Sequence, residues 1–426
     1  MRVFYCNKKS GGNIVSLVEQ GRELKKAALI LEMADTNDKN DALDKVCKSL
    51  MQNQDFILKE NQKDIKNAKK NNMKESLIDR LRLTEDRIKG MIKGIRTIID
   101  LKDPIWQSNR VWTLENNLTI SKMTVPLGTI GIIYESRPNV TVDAFGLALK
   151  SGNGILLRGS SSAIHSNKAL VATIKEGLRD SKIPEGVIEL VEDTDRNVVK
   201  EMITMNNYID LVIPRGGKGL IDFVVQNSTV PTIETGVGNC HVFVDESANQ
   251  ENALKIIENA KVQRPGVCNA IETVLIHKNI AQEILPKLYE LLKNRVELRG
   301  CKITRGIIPV IPATEEDWTE EYLDYILAIK VVENIEEAII HISKYGTKHS
   351  EAIITENYTN AQAFQRRVDA AAVYVNASTR FTDGGQFGFG AEMGISTQKM
   401  LPRGPMGLEE LVTIKYTIQG NGQVRE

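Results

Sequence analysis

Cys268 stands in QRPGVCNAIETV, where Pro265 and Gly266 end any preceding helix and a short apolar run follows. A thiol on such a turn, faced by backbone N–H groups, becomes a thiolate nucleophile; buried in apolar surroundings it is inert. Arg215, Gly216, Gly217, Lys218 and Gly219 follow the run DLVIP and open a helical stretch. Glycines let a backbone approach a ligand, and a helix N-terminus favours a phosphate. The run is neither G-x-G-x-x-G nor a Walker A sequence, so an ordinary strand–helix turn reads the same way. Arg158 ends GILLRG and precedes Ser160, Ser161 and Ser162. In a dinucleotide site a carboxylate here would accept from a ribose 2′-hydroxyl and repel a 2′-phosphate, whereas Arg and Ser accommodate that phosphate, which favours NADP over NAD. A solvated serine-rich loop is the alternative. Glu234, in ETGVG before HVFVD, is either a base or the partner of a nearby Lys or Arg. His341 and His349 read as satisfied structural groups.

These residues need a frame. Residues 1 to about 100 read as helix, with Ile88, Met91, Ile92, Ile95 and Ile99 at helical spacing, Thr84 as N-cap, and Glu85 and Asp86 in the first turn. The charged stretch 59–75 reads as a solvated helix face. Residues 112–124 place an Asn-Asn pair between alternating runs, a hairpin signal. Short β-rich runs at 129–136, 154–159, 187–192 and 210–216 alternate with helix-length segments at 140–151, 163–178 and 195–206, which implies a parallel sheet. Such sheets bind ligands beyond the carboxyl ends of their strands, which singles out the loops after 134, 158, 192 and 213. A second α/β series runs from about 254 to 380, with strands expected at 272–277, 326–332, 351–355 and 373–376. A glycine-dense stretch follows at 384–394. Residues 411–418 alternate like an edge strand, expected to pair with 112–124 or with another subunit.

The chain has 426 residues, more than one ordinary core holds, with 42% apolar and 26% charged residues. Lys+Arg and Asp+Glu are both 55, which argues against nucleic acid or an anionic membrane as the main partner. No apolar stretch approaches the ~20 residues of a membrane span, and no secretory segment is evident, so a cytoplasmic protein is expected. Cys6, Cys47, Cys240, Cys268 and Cys301 are scattered without a C-x-x-C pair, and the five histidines lack ligand spacing. A disulfide framework, a structural zinc site or any other metal is not expected. Covalent or redox chemistry would therefore use an unpaired thiol or an organic cofactor.

The segments VPLGTIGIIYESRPNVTVDAF (125–145), RGSSSAIHSN (158–167), ETGVGNCHVFVD (234–245), QRPGVCNAIET (263–273), YGTKHSEAIIT (345–355), VNASTRF (375–381) and FGFGAEMGISTQKMLPRGPMGLEEL (387–411) together resemble the aldehyde dehydrogenase superfamily and, within it, the gamma-glutamyl phosphate reductases. The likeness covers about residues 20–420. It implies an α/β fold of aldehyde-dehydrogenase type: a Rossmann-type NADP-binding domain over 19–253 carrying the hairpin arm 112–124, an α/β catalytic domain over 254–395, and a C-terminal segment 396–426 with a small β oligomerisation arm at 411–418. Residues 1–18 are expected as an extension: a tail, an assembly element or a docking segment.

The resemblance also implies roles. Cys268 matches the nucleophile, Asn139 the oxyanion-binding amide whose partner is the Cys268 N–H, and Glu234 the general-base position. Arg158 matches a ribose-contacting lysine, and Ser161 the position where NAD-preferring relatives often carry Glu. Arg215 to Gly219 occupy the phosphate turn. Glu321, in EEYLD, matches the glutamate on the nicotinamide ribose, although the usual Phe-Gly-Pro after it is absent. The implied reaction is NADPH-dependent reduction of L-glutamyl 5-phosphate to L-glutamate 5-semialdehyde and phosphate through a Cys268 thioester, in proline biosynthesis. A reductase of this kind needs no hydrolysis, so Glu234 either manages the thiol proton or shapes the pocket. From charge and placement, Arg137 is expected on the substrate phosphate or in a structural ion pair, and Ser378, Thr379 and Arg380 on the amino-acid end. A homodimer or higher homo-oligomer and a docking glutamate 5-kinase are the expected protein partners. A hydrolytic or CoA-acylating aldehyde dehydrogenase is the rival enzyme reading, and a non-catalytic scaffold the rival class.

Overall fold

The structure, a computed structural model, describes residues 16–425. Five helices come first: α1 (Leu17–Glu32), α2 (Thr36–Gln52), α3 (Gln54–Lys70), α4 (Glu75–Leu81) and α5 (Glu85–Asp100). The side chains of Ser16, Asp35 and Thr84 accept from first-turn N–H groups of α1, α2 and α5, satisfying donors that a helix start leaves free. Ile88, Met91, Ile92 and Ile95 are the buried stripe of α5, joined by Ile98, while Ile99 is only partly buried.

The hairpin strands β1 (Ser108–Thr113) and β2 (Thr119–Pro126) follow. The alternating series is β3 (Thr129–Tyr134), α6 (Asn139–Lys150), β4 (Gly154–Gly159), α7 (Ile164–Arg179), β5 (Ile188–Leu190), α8 (Arg196–Met202), β6 (Leu211–Arg215) and α9 (Lys218–Asn227). Its four strands form a parallel sheet of order β5-β4-β3-β6. The order reverses at β3, which opens a crevice beyond Tyr134, Gly159 and Arg215. The helices cover this sheet in two cores, one including Val46, Ile95, Phe145 and Ile132 and the other Leu24, Ile133, Leu156, Met202 and Val224.

The second unit comprises β7 (Cys240–Val244), α10 (Gln250–Val262), β8 (Ile271–His277), α11 (Lys278–Leu292), β9 (Glu297–Gly300), α12 (Lys302–Arg305), β10 (Ile311–Pro312), β11 (Ile326–Val332), α13 (Ile335–Tyr345), β12 (Ser350–Ile354), α14 (Tyr358–Arg367) and β13 (Ala372–Val375). Its sheet has the order β10-β9-β11-β8-β7-β12-β13, with every pair parallel. The short strands β14 (Ile395–Ser396) and β15 (Gly404–Pro405) pair with each other. Finally β16 (Val412–Gln419) pairs antiparallel with β2 in the same chain, completing a three-stranded arm β1-β2-β16.

Two expected boundaries move. The second unit begins before β7, near residue 240 and not at 254, because β7 lies between β8 and β12. An apolar run such as HVFVD marks a strand but says nothing of which sheet receives it. Residues 396–426 are likewise no separate segment: Met406, Leu408 and Leu411 pack into the first core. Of the expected extension, residues 1–15 lie outside the described residues, and Leu17 and Val18 already belong to α1. No helix among the described residues is long and apolar enough to cross a membrane.

The turn between α10 and β8 is tied at both ends. Lys261 Nζ meets Glu272 Oε2 at 2.5 Å, both side chains out of solvent, and donates to Ile271 O at 3.0 Å. Burial pushes Glu272 up to about 8 and Lys261 down. Breaking such a pair leaves an uncompensated buried charge. Lys261→Met is expected to lower the unfolding free energy by about 3–5 kcal/mol, read from urea melts. Adding Glu272→Met is expected to restore part of that loss.

Candidate active site

Cys268 sits on the turn between α10 and β8, partly exposed. Asn269 Nδ2 donates to Thr382 O at 2.9 Å, Thr379 Oγ1 donates to Asn269 O at 2.7 Å, and the Cys240 thiol donates to Cys268 O at 3.2 Å. Gly238 lies flat on the same turn. A Cβ there would fall 1.5 Å from Cys268 O, so only glycine fits. Its N–H donates to Glu321 Oε1 at 2.6 Å, which brings that carboxylate to the thiol.

Five guanidinium groups gather here from separate elements. Arg80 Nη2 of α4 donates to Gly266 O at 2.8 Å, and Arg380 Nε donates to Gln263 Oε1 at 2.9 Å. Arg215, at the end of β6, lies over Gly394, with Nη1 2.6 Å from where a Cβ would stand. Arg215 and Arg137 bear electrostatically on Cys268, Arg80 and Arg264 on Arg137, and Arg264 on Arg380. Arg82, Arg87 and Arg299 sit in ion pairs, but none of these five has a carboxylate oxygen within 4.0 Å among the described residues. Burial, with Arg215, Arg80 and Arg264 repelling, pushes Arg137 down to about 10.

The Cys268 thiol is pushed up to about 11, chiefly by burial; Arg215 and Arg137 pull it down while Glu392 and Glu321 push it up. Glu392 comes from the glycine-dense stretch, where its Oε2 accepts from Gly384 N–H at 2.8 Å. Asn139 opens α6 beyond the end of β3, and its Nδ2 donates to Asp143 Oδ2 at 3.0 Å.

The other expected residues are placed as follows. Glu234 is half-buried; its N–H donates to Gln398 Oε1 at 3.1 Å, and its carboxylate has no Lys or Arg partner among the described residues. Arg137 has no structural ion pair among the described residues either. Ser378 and Thr379 are buried, Ser378 Oγ accepting from the Arg380 N–H at 3.3 Å. Ser378 Oγ keeps its O–H donor and Thr379 Oγ1 its acceptor lone pairs, and Arg380 is the charged group of this loop. His349 is buried with Nδ1 2.8 Å from Ser350 Oγ, and burial together with Arg215 pushes it down to about 4. His341 is buried against Trp318 and Tyr345. Both stay structural.

On the crevice side, Arg158 Nη2 donates to Thr194 O at 2.8 Å and Asp195 O at 3.3 Å, and its Nε is buried without a partner. Ser162 Oγ lies 2.8 Å from the hydroxyls of both Ser160 and Ser136, and Ser161 is exposed. Glu135 Oε2 accepts from Gly217 N–H at 3.0 Å, and its carboxyl carbon lies 2.7 Å from a Cβ placed on Gly216. Gly219 faces open space. Arg215 leaves this turn for the thiol. An orphaned guanidinium N–H and a row of hydroxyls at the carboxyl ends of β3 and β4 fit a nicotinamide dinucleotide. Arg80, Arg264, Glu392 and Asp143 carry no sequence signal of their own; tertiary structure alone brings Glu392 to bear on the thiol, Arg80 to Gly266 and Asp143 under the influence of Arg215.

A two-sheet α/β chain with one thiol at the mouth of such a crevice is the design of the aldehyde dehydrogenase family, whose model matches residues 45–322. Over 410 residues the chain is 70% identical to the gamma-glutamyl phosphate reductase of Alkaliphilus oremlandii, covering 96% of this chain and 99% of that one. The crystal structure of gamma-glutamyl phosphate reductase from Thermotoga maritima superposes with a TM-score of 0.94 at 56% identity, covering 96% of this chain and all of that one (100%). The chain belongs to the gamma-glutamyl phosphate reductase family. The fold extends to an engineered glycolyl-CoA reductase with bound NADP+, at a TM-score of 0.69 and 16% identity, covering 94% of this chain and 96% of that one.

Proposed function

We propose that this chain reduces L-glutamyl 5-phosphate to L-glutamate 5-semialdehyde and phosphate with NADPH, a step of proline biosynthesis. The carrying observation is a cluster of five guanidinium groups without a carboxylate partner among the described residues, of which Arg137, Arg215 and Arg380 bear on the Cys268 thiol, in a chain whose net charge is zero. A substrate with a phosphate and an α-carboxylate supplies the missing anions; an uncharged aldehyde does not. The relatives' name points the same way. Arg137 and Arg215, which bear on the sulfur, suit the phosphoryl oxygens, and Arg380 suits the carboxylate.

The Cys268 thiolate attacks the acyl carbon, and the bond to the phosphate oxygen breaks, phosphate leaving with the electron pair. Asn139 and the Cys268 N–H hold the oxyanion, each such donor contributing about 3–4 kcal/mol. When bound, NADPH supplies the hydride that reduces the resulting thioester to the aldehyde and frees the thiol. Arg158, Ser160, Ser161, Gly216, Gly217 and Gly219 hold the cofactor and Glu321 its nicotinamide ribose. The absence of a carboxylate from 158–162 supports NADP over NAD. Glu234 manages the thiol proton or shapes the pocket, since activating water there would waste the thioester. The arm β1-β2-β16 leaves Val111, Ile414, Tyr416 and Ile418 exposed, which supports association with a second copy. Glutamate 5-kinase, which makes the labile substrate, is the proposed docking partner.

The test is the reverse reaction: oxidation of glutamate semialdehyde, followed as NADPH absorbance. NADPH formation is expected only with inorganic phosphate, and kcat/KM is expected to be higher with NADP than with NAD. Turnover without phosphate, or with CoA in its place, would replace this reading with the hydrolytic or CoA-acylating one.

A further inference from the structure

Asn139 and Asp143 lie one turn apart on α6, four residues in sequence and therefore on one face of the helix. Asn139 is exposed at the crevice, and its Nδ2 donates to Asp143 Oδ2 at 3.0 Å. The Asp143 carboxyl is half-buried beside Gly94 of α5, where a Cβ would stand 3.8 Å from Oδ1. Arg215 of β6 bears on Asp143 as well as on Cys268.

An amide can turn either its oxygen or its NH2 toward a ligand, and only the NH2 stabilises an oxyanion. A carboxylate below the amide accepts and never donates. It therefore fixes Nδ2 on the Asp143 side, and one of the two N–H bonds remains for the substrate. Burial pushes Asp143 up to about 6, against the Asn139 bond and Arg215, so the accepting form prevails at pH 8.

We propose that Asp143 is a positioning residue that locks the Asn139 amide with its free N–H toward the acyl oxygen at Cys268. The inference rests on the functional reading above.

The experiment is a double-mutant cycle at pH 8 in the phosphate-dependent reverse assay, with wild type, Asn139→Ala, Asp143→Ala and the double variant. Asp143→Ala is expected to lower kcat about 10–100-fold, within the span of a lost or misaimed oxyanion donor. KM for the semialdehyde and for NADP is expected to stay within about twofold. The double variant is expected to be no slower than Asn139→Ala alone. Asp143→Asn keeps the shape and an acceptor oxygen, so it serves where Ala impairs folding; it is expected to recover part of the kcat. Additive losses, or a raised semialdehyde KM at unchanged kcat, would overturn the assignment, the latter making Asp143 a substrate contact. Those results fault Asp143 alone, because wild type and Asn139→Ala still report the reaction. A wild type without phosphate-dependent turnover would remove the functional reading and this inference with it.

Discussion

Cys268→Ala is expected to lower phosphate-dependent turnover at least about 10⁴-fold, the scale seen when a covalent nucleophile is removed, while NADPH still binds, as followed by its fluorescence. Among the described residues the other thiols offer no substitute: Cys47 and Cys240 are buried, and Cys301 is the N-cap residue of α12 in the second unit. The resting thiol is a poor nucleophile, because burial pushes it up to about 11. Its thiolate fraction therefore grows about tenfold for each pH unit below that value, so inactivation by iodoacetamide is expected to steepen from pH 7 to 10 without a plateau. Cys301 behaves differently. Burial pushes it up too, but the Thr304 hydroxyl and backbone N–H groups outweigh burial and bring it below an ordinary thiol. At neutral pH in the ligand-free protein, peptide mapping is expected to find Cys301 alkylated before Cys268, Cys47 and Cys240 while activity persists. Activity lost in step with Cys301 labelling, or near-normal turnover by Cys268→Ala, would remove the covalent mechanism.

How far the sequence reveals this site depends on how local each feature is. The turn at Cys268 is legible because Pro265 and Gly266 end α10 within the same few residues. Strand β4 spans the same 154–159 that its apolar run marks, and Thr84 caps α5 because its chemistry acts three residues away. β7 is as clear a strand, yet its sheet is decided by pairing with β8 and β12, 31 and 110 residues away when counted from Cys240 to Ile271 and His241 to Glu351. Strands β9 and β10 are too short to show a period of two. Gly238 looks like any glycine of a loop, and only the fold lays it against Cys268 O. Arg80 lies in the helical first hundred residues outside any motif, and its hydrogen bond to Gly266 O spans 186 residues. Thr379 follows a strand end, as a substrate-binding hydroxyl would, and only the fold shows that its proton is donated to Asn269 O.

Arg215 gives the second large effect, and two placements compete for it. The strand–glycine–helix pattern puts it on a cofactor phosphate. The structure turns its guanidinium over Gly394, where it bears on Cys268, Arg137 and Glu392, while Glu135 takes the Gly217 N–H at the helix start. At the thiol it has two consequences with the same sign. It favours the thiolate, and it attracts the departing phosphate. Arg215→Met is therefore expected to cut kcat/KM about 10²–10³-fold, in the range of a lost buried charge contact, with the loss appearing as a raised phosphate KM in the reverse direction. Lys at this position keeps the charge but not the paired N–H geometry, so Arg215→Lys is expected to recover only part. The alkylation profile of Cys268 is expected to move to higher pH in Arg215→Met, because one of the two cations that hold the thiol down is gone. An unchanged profile with the whole loss in the NADP KM would return Arg215 to the cofactor phosphate. The anion site at the thiol would then rest on Arg80, Arg137, Arg264 and Arg380.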